Sequence, residues 1–109
     1  MQRQYRLTNQ RSFDYIYKHG KCVSDDLFTL VYLEGKYPLY KVGFVVAKKV
    51  GKAVVRNKVR RRMREAFRLL EVKEFHSYII VAHSIASEAT YLCIKESIKT
   101  LFEKAGMLK

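Results

Sequence analysis

Apolar and polar residues recur along this chain at spacings that predict three helices and three strands, and leave room for a short fourth strand. Spacings of three and four residues predict helices over Thr8 to His19, Ala53 to Leu70 and Glu88 to Ala105. Runs rich in β-branched and aromatic residues predict strands over Leu27 to Leu33, Lys41 to Ala47 and Tyr78 to Ala82, and the short one over Lys21 to Ser24. This order predicts an α+β sandwich, with helices packed on a mainly antiparallel or mixed sheet.

The ends of two predicted helices carry residues that commonly begin or end helices. Thr8 or Asn9 is expected to cap the first helix, and Ser87 the last. Gly20 and Gly106 are expected to end them. The continuous apolar run at 79–81 is typical of a strand that is covered on both faces.

The longest predicted helix combines an apolar stripe with a basic surface. The stripe spans an arc of about 120° and consists of Val55, Val59, Met63, Ala66, Phe67 and Leu70. The basic residues, with no acidic one between them, are Lys48, Lys49, Lys52, Arg56, Lys58, Arg60, Arg61, Arg62 and Arg64. Like charges four residues apart destabilise an isolated helix by roughly a few tenths of a kcal/mol per pair. We therefore expect the stripe to hold the helix on the sheet while the basic surface faces an anion.

Phosphate is the anion that suits this residue set. The planar guanidinium donates two parallel hydrogen bonds and stays charged. Asn57 can donate to a phosphate or a base edge, and Gly51 lets the backbone turn sharply between strand and helix. The formal net charge is +12, from 22 Lys and Arg against 10 Asp and Glu. We therefore expect a polyanionic partner, with nucleic acid as the first candidate and an anionic membrane surface as the second.

The length of 109 residues suits one domain, 1–109. No stretch approaches the roughly 18 consecutive apolar residues that a membrane span requires. The segment from Met1 to Arg6 has no apolar run behind its charges, so we expect no signal peptide and a cytoplasmic location.

The residues of a protein active site are not visible in the sequence. Cys22 and Cys93 lie far apart without zinc-ligand spacing, so free, partly buried thiols are expected. The three histidines are scattered, and we find no paired carboxylates, nucleophile elbow or phosphate-binding glycine loop. We therefore predict no catalytic residue and no metal site in this chain.

The segment from Ala47 to Phe67 resembles the signature of bacterial ribonuclease P proteins. In that family a strand ends in two lysines and a glycine, and a helix with an Arg-Asn-Arg motif follows. The corresponding residues here are Arg56-Asn57-Lys58. Arg6-Leu7 together with Phe13 to Gly20 resembles the family's opening segment, and Ser77 to Ala82 its late strand. The resemblance therefore covers nearly the whole chain.

This resemblance implies a fold and a function. The fold is a single-domain αβββαβα sandwich with a left-handed β-α-β crossover, ribosomal protein S5 domain 2-like. The function is that of the protein subunit of ribonuclease P, a ribonucleoprotein endonuclease that removes the 5′ leader from precursor tRNA. In the family the RNA subunit cleaves the phosphodiester bond with bound Mg²⁺ ions, so the protein alone is expected to be inactive. The implied partners are ribonuclease P RNA and precursor tRNA, and neither DNA nor a membrane.

The resemblance also implies two sets of RNA-contacting residues. The RNA subunit is expected to contact Lys48, Lys49, Lys52, Arg56, Asn57, Lys58, Arg60, Arg61 and Arg64. The leader is expected in a groove between the first helix and the sheet, at Phe13, Tyr17, Thr29 and Val31. Spacing alone favours an ordinary helix core for Phe13 and Tyr17, whereas the resemblance implies the groove, so both alternatives stay open.

Three other functions fit parts of the pattern. A general RNA-binding protein, such as a ribosomal component, would carry a basic face without the pattern from Lys48 to Phe67. A helix–turn–helix DNA binder would place a short helix and a tight turn before the basic helix, where this sequence predicts a strand. A stand-alone protein nuclease would need catalytic residues, which are not visible here.

Overall fold

The structure, a computed structural model, describes residues 3–109, so the first two residues of the predicted domain lie outside it. Helices and strands follow the expected order αβββαβα. The helices are α1 (Gln10–His19), α2 (Ala53–Arg68) and α3 (Tyr91–Ala105). The strands are β1 (Lys21–Ser24), β2 (Phe28–Glu34), β3 (Lys41–Val45) and β4 (His76–Ala82).

The four strands form one mixed sheet in the order β1-β2-β4-β3. β2 pairs antiparallel with both β1 and β4, whereas β3 pairs parallel with β4. A parallel pair needs a crossover connection, and α2 lies within it. The α+β class and the β-α-β crossover are therefore confirmed, while its left hand stays a prediction.

The sheet separates two hydrophobic cores. In the central strand β4, Ile79 and Ile80 of the predicted run are fully buried, as is Tyr78 before them, whereas Val81 is half-buried. Successive side chains of a strand point to opposite faces. The larger core lies on the face that α2 and α3 cover. The smaller core lies on the other face, where Ile16 of α1 packs on Val31 and Ile79.

The helix starts follow the capping side chains. Asn9 caps α1, since its Oδ1 accepts a hydrogen bond from the Arg11 N–H at 2.8 Å. The prediction of Ser87 as the cap of α3 is wrong, because its hydroxyl donates to the Ser84 carbonyl within a 3₁₀ turn. Thr90 caps α3 instead, and its Oγ1 accepts from the Cys93 N–H at 3.2 Å.

Two smaller expectations are also tested. Both cysteines are free, as predicted, but Cys22 and Cys93 are exposed rather than partly buried. Within residues 3–109, no helix combines the length and the apolar character needed to cross a membrane.

The Tyr78 side chain joins the larger core to the segment before β4. Its ring packs 5.1 Å from that of Phe102, centroid to centroid. Its hydroxyl donates a hydrogen bond of 2.6 Å to the Lys73 carbonyl oxygen. Burial raises the pKa of Tyr78 well above its ordinary value, because the phenolate would lose its hydration.

Replacing Tyr78 by Phe keeps the ring and removes the hydroxyl. We expect the free energy of unfolding to fall by about 1 kcal/mol, the net value of one hydrogen bond. The folded pKa lies above the unfolded value of about 10. This contribution is therefore complete below about pH 10 and is lost as the pH rises further. Urea unfolding across that range should show a steeper alkaline loss in the wild-type protein, and equal losses in both proteins would contradict the argument.

Candidate nucleic-acid interface

α2 has a buried apolar side and an exposed basic side, as predicted. Val59, Met63, Ala66 and Phe67 are buried. The nine residues expected to contact the RNA subunit, which we call the basic face, all lie on α2 or on the 3₁₀ turn and loop before it. The exposed ones are Lys48, Lys49, Lys52, Asn57, Lys58, Arg61 and Arg64, and the half-buried ones are Arg56 and Arg60. The structure thus gathers all nine on the longest of the described helices and on the turn that leads into it.

A glycine sets the turn that leads into α2. Gly51 has a φ of 158°, and a Cβ built on it would lie 2.9 Å from Val55 Cγ1. A side chain at this position would therefore collide with the first turn of the helix. The 3₁₀ turn Lys48–Val50 precedes it, so the two lysines of that turn lie next to the start of α2.

The start of α2 differs from the starts of α1 and α3. Lys52 occupies the cap position and makes no side-chain cap hydrogen bond, and the first turn holds no acidic residue. Side chains of Asn9 and Thr90 cap the other two helices. Backbone N–H groups at a helix start carry a partial positive charge. This end of α2 therefore favours an anion both through its backbone and through its lysines.

The arginines of α2 fall into two groups. Arg62 is half-buried and donates from Nη1 to the Ala89 carbonyl oxygen at 3.1 Å, so it fastens α2 to the segment before α3. Arg60 donates from Nη1 to Asn57 Oδ1 at 3.0 Å on the exposed side. The Nε of Arg56 is buried, and no described group accepts from it. Arg62 was not among the predicted RNA contacts, and its bond within the fold agrees with that.

On the other face of the sheet, α1 lies across the strands. Gly43, Ile79 and Val31 are lateral neighbours in the strand register. Phe13 lies against Gly43, since a Cβ on that glycine would come within 2.6 Å of the ring. Ile16 packs on Val31 and Ile79. Because Phe13 and Ile16 contact residues of this one lateral row, α1 runs across the strands. Its two flanks therefore face opposite ends of the strands.

The predicted groove would lie along one flank of α1. Tyr15 is on the flank that borders a cavity with Leu33 and Ser77. Phe13 and Tyr17 project from the opposite flank, toward the end of the sheet that includes Thr29, because α1 turns by 100° per residue. We call the space between this flank and that end of the sheet the leader groove.

The four predicted groove residues differ in accessibility. Tyr17 is 46% exposed and Phe13 is half-buried. Burial, and to a lesser extent the nearby Asp14 charge, raise the pKa of Tyr17, so its ring stays neutral. Thr29 is half-buried, whereas Val31 is 7% exposed and belongs to the core beneath Ile16.

A histidine that the sequence did not assign lies beside Thr29. His83 Nδ1 is 3.1 Å from the Asp26 carbonyl oxygen, and its Nε2 is 2.8 Å from Thr29 Oγ1. A carbonyl only accepts, so Nδ1 carries a hydrogen and donates it to Asp26, while Nε2 pairs with the Thr29 hydroxyl. The polar residue directly after the apolar run of β4 was the only signal in the sequence for this contact.

Metal-ligand residues are dispersed in this structure. Among the described residues, no group of three or more His, Cys, Asp or Glu side chains is placed to hold a metal ion. Glu65, the acidic residue that directly follows Arg64, shares its surroundings with three arginines, namely Arg61, Arg64 and Arg68.

A family model described as Ribonuclease P matches residues 1–106. The chain belongs to the ribonuclease P protein family. Members act as the protein subunit of the ribonuclease P endoribonuclease, and their role is the processing of tRNA 5′ leaders within a ribonucleoprotein. The match spans the pattern from Lys48 to Phe67, and it decides against the alternative of a general RNA-binding protein.

Relatives and solved structures agree with this assignment. The ribonuclease P protein component of Clostridium kluyveri is 34% identical in an alignment of 109 positions, which covers 96% of this chain and 97% of the relative. A mutant of the Staphylococcus aureus RNase P protein has a TM-score of 0.90 at 30% identity, with 96% of this chain and 91% of that one covered. The RNase P protein from Thermotoga maritima has a TM-score of 0.82 at 27% identity, with 91% and 96% covered.

The contact between Phe13 and Gly43 can be tested by a double-mutant cycle. Gly43→Ala adds a methyl group where the Phe13 ring lies, so we expect it to destabilise the fold by about 1–3 kcal/mol. In a Phe13→Ala background the methyl group has space, and the added destabilisation should largely disappear. Chemical denaturation of the four proteins measures this coupling. Additive effects would mean that the ring does not rest on Gly43.

Proposed function

We propose that the basic face binds the catalytic RNA of ribonuclease P, and that the leader groove holds the single-stranded 5′ leader of precursor tRNA. The observation that carries this proposal is the acid-free basic face, held in place by the buried side of α2. Precursor tRNA is made in the cytoplasm, so the protein is proposed to act there.

The first task of the basic face is electrostatic. A catalytic RNA and an RNA substrate repel each other through their phosphates, and cations placed between them offset that repulsion. Lysine and arginine side chains that neutralise phosphates also release condensed counterions, which makes binding strongly dependent on salt. In the described part of the chain, the ion pair lies away from the basic face. It joins Lys109 Nζ to Glu74 Oε1 at 2.9 Å. The charges of the basic face are thus available to the RNA.

The second task is hydrogen bonding. Arginine forks recognise phosphate oxygens through two parallel N–H donors. The buried Nε of Arg56 lacks a described acceptor, and a buried donor left unsatisfied costs about 1–3 kcal/mol. A phosphate that draws this guanidinium outward would remove that deficit. An RNA phosphate would thus satisfy a donor that the fold itself leaves without a described partner.

The leader groove suits a strand of any sequence. Bases of a single strand expose their faces, and aromatic rings stack on them with little regard for sequence. Tyr17 offers an accessible neutral ring, and the half-buried Phe13 ring lies on the same flank with its edge against Gly43. Thr29 supplies a hydroxyl at the sheet end of the groove, and its partner His83 fixes the direction of that hydroxyl.

Mg²⁺ is proposed to be bound mainly by the RNA subunit. Bound to RNA, it would supply an activated water and stabilise the leaving oxygen. A surface with eight cations repels a divalent cation, so the protein contributes the positioning of RNA strands rather than ligands to the metal.

The proposal predicts a strict division of activity between protein and RNA. The purified protein alone should not cleave precursor tRNA, whereas addition of a bacterial ribonuclease P RNA with Mg²⁺ should give cleavage at the mature 5′ end. Gel analysis of 5′-labelled precursor measures both reactions. Efficient single-site cleavage by RNA-free protein, or no gain from the protein at limiting Mg²⁺, would contradict the proposal.

Alanine substitutions of two tyrosines on α1, Tyr17 and Tyr15, test the leader groove. Tyr17→Ala should weaken binding of precursor tRNA to the holoenzyme by about tenfold, since stacking contributes roughly 1–3 kcal/mol per base. Binding of mature tRNA, which lacks the leader, should change little. Tyr15→Ala is the matched control, because Tyr15 is 60% exposed on the opposite flank of α1. The precursor-to-mature affinity ratio is the measurement, and equal ratios in the two variants would place the leader elsewhere.

A further inference from the structure

A cavity lies between residues 6–8, the outer edge of β3 and α2. Its volume is about 240 Å³. Three arginines border it, namely Arg6 from the beginning of the chain and Arg60 and Arg64 from α2. Its other described lining residues are apolar, glycine or threonine, and none is acidic. The cavity is therefore strongly cationic around an apolar floor.

The backbone of Arg6 and Leu7 is fixed along this cavity. Arg6 forms a parallel β-bridge with Val42, and the Leu7 N–H donates to the Val42 carbonyl oxygen at 3.0 Å. Arg6 and Leu7 thus extend the sheet by one short pairing beyond β3. Because this pairing holds the backbone, the exposed Arg6 side chain is directed to the same cavity as two arginines more than fifty residues away.

The strand edge adds a backbone donor. Val42 directs its carbonyl away from β4, since that carbonyl accepts from Leu7. Backbone groups of a strand alternate in direction, so the N–H of Phe44, two residues on, also points away from β4. Phe44 lines the cavity. An anion bound there would meet this N–H as well as the guanidinium groups.

We propose that this cavity binds one nucleotide unit of an RNA strand, with Arg6, Arg60 and Arg64 around its phosphate. The inference rests on the proposed function and extends it to Arg6, which the sequence did not assign to RNA binding. The cavity borders both RNA-facing surfaces, because Arg60 and Arg64 belong to the basic face and Phe13 to the leader groove. A strand that passes between those surfaces would place a nucleotide here.

The chemistry of the cavity matches a nucleotide rather than a free anion. Three guanidinium groups offer paired donors to phosphate oxygens. The apolar floor, which includes Phe13 and Phe44, suits a ribose or the face of a base. A small inorganic anion would leave that floor exposed to water.

Arg6→Gln tests the proposal, because it keeps most of the side-chain length and removes the charge. The probes are a bacterial ribonuclease P RNA, precursor tRNA and mature tRNA. We expect affinity to fall about tenfold, the effect of one charge-assisted hydrogen-bonded contact. We also expect the slope of log K against log salt to fall by about 1. A loss in binding of the RNA subunit alone would identify that RNA as the source of the phosphate. A loss confined to the precursor-to-mature ratio would identify the leader.

Controls separate this site from general charge effects. Lys36→Gln removes one exposed positive charge from the loop before β3, at the opposite end of that strand from Lys48, and should leave both measurements unchanged. The Arg6→Gln/Arg64→Gln double variant should lose less than the sum of the single losses, because both arginines act on one phosphate. Additive losses, or wild-type behaviour of Arg6→Gln, would overturn the inference.

The same measurements distinguish failure of the cavity proposal from failure of the proposed function. If Arg64→Gln weakens RNA binding while Arg6→Gln does not, the shared cavity is refuted and the basic face stands. If the wild-type protein does not bind the ribonuclease P RNA, the proposed function itself fails. Thermal melting of each variant checks the fold, and Arg6→Lys, which keeps the charge but not the fork, should restore the salt slope if Arg6→Gln proves unstable.

Discussion

The burial of one side of α2 against the sheet opposes the electrostatic repulsion along the rest of the helix. Arg56, Arg60 and Arg64 follow each other at four-residue spacing, and each such pair costs roughly a few tenths of a kcal/mol. Complete burial of a large apolar side chain contributes about 1.5–3 kcal/mol, and Met63 and Phe67 are both buried. The apolar side therefore outweighs the repulsion several times over. The helix tolerates so many positive charges because its apolar side is buried against the sheet.

The same sheet also fixes the position of this surface relative to the leader groove. Phe44 of β3 packs toward Phe67 of α2 on one face, while Gly43, the residue before it, receives the Phe13 ring of α1 on the other. One short strand thus supports both RNA-facing surfaces, with adjacent residues serving opposite faces. Because β3 lies at the edge of the sheet, the two surfaces meet along it, beside Arg6. Their separation is set by the thickness of a single β-sheet rather than by a flexible loop.

Most of the elements follow from patterns that are local in sequence. The stripe of α2 and the apolar run of β4 each span a few turns or residues, and the structure confirms both. The start of α3 was misplaced because Ser87 and Thr90 are both good caps, and only the 3₁₀ turn before α3 decides between them. The Thr29–His83 bond joins residues 54 positions apart. No pattern along the chain encodes such a pairing, which depends on the register of β2 against β4. The site residues on α2 were predictable as a group because a single helix carries them.

Three features of the isolated protein lack a binding partner that an RNA phosphate could supply. The start of α2 has no side-chain cap, the Arg56 Nε has no described acceptor, and the cavity at the β3 edge gathers cations without a bordering carboxylate. Each leaves donors or positive charge unmatched, and an RNA phosphate supplies acceptors and negative charge together. A ligand that binds only the folded state stabilises it in proportion to its binding free energy. The residues that lower the stability of the free chain are therefore those through which RNA would raise it, so folding and assembly are linked through α2.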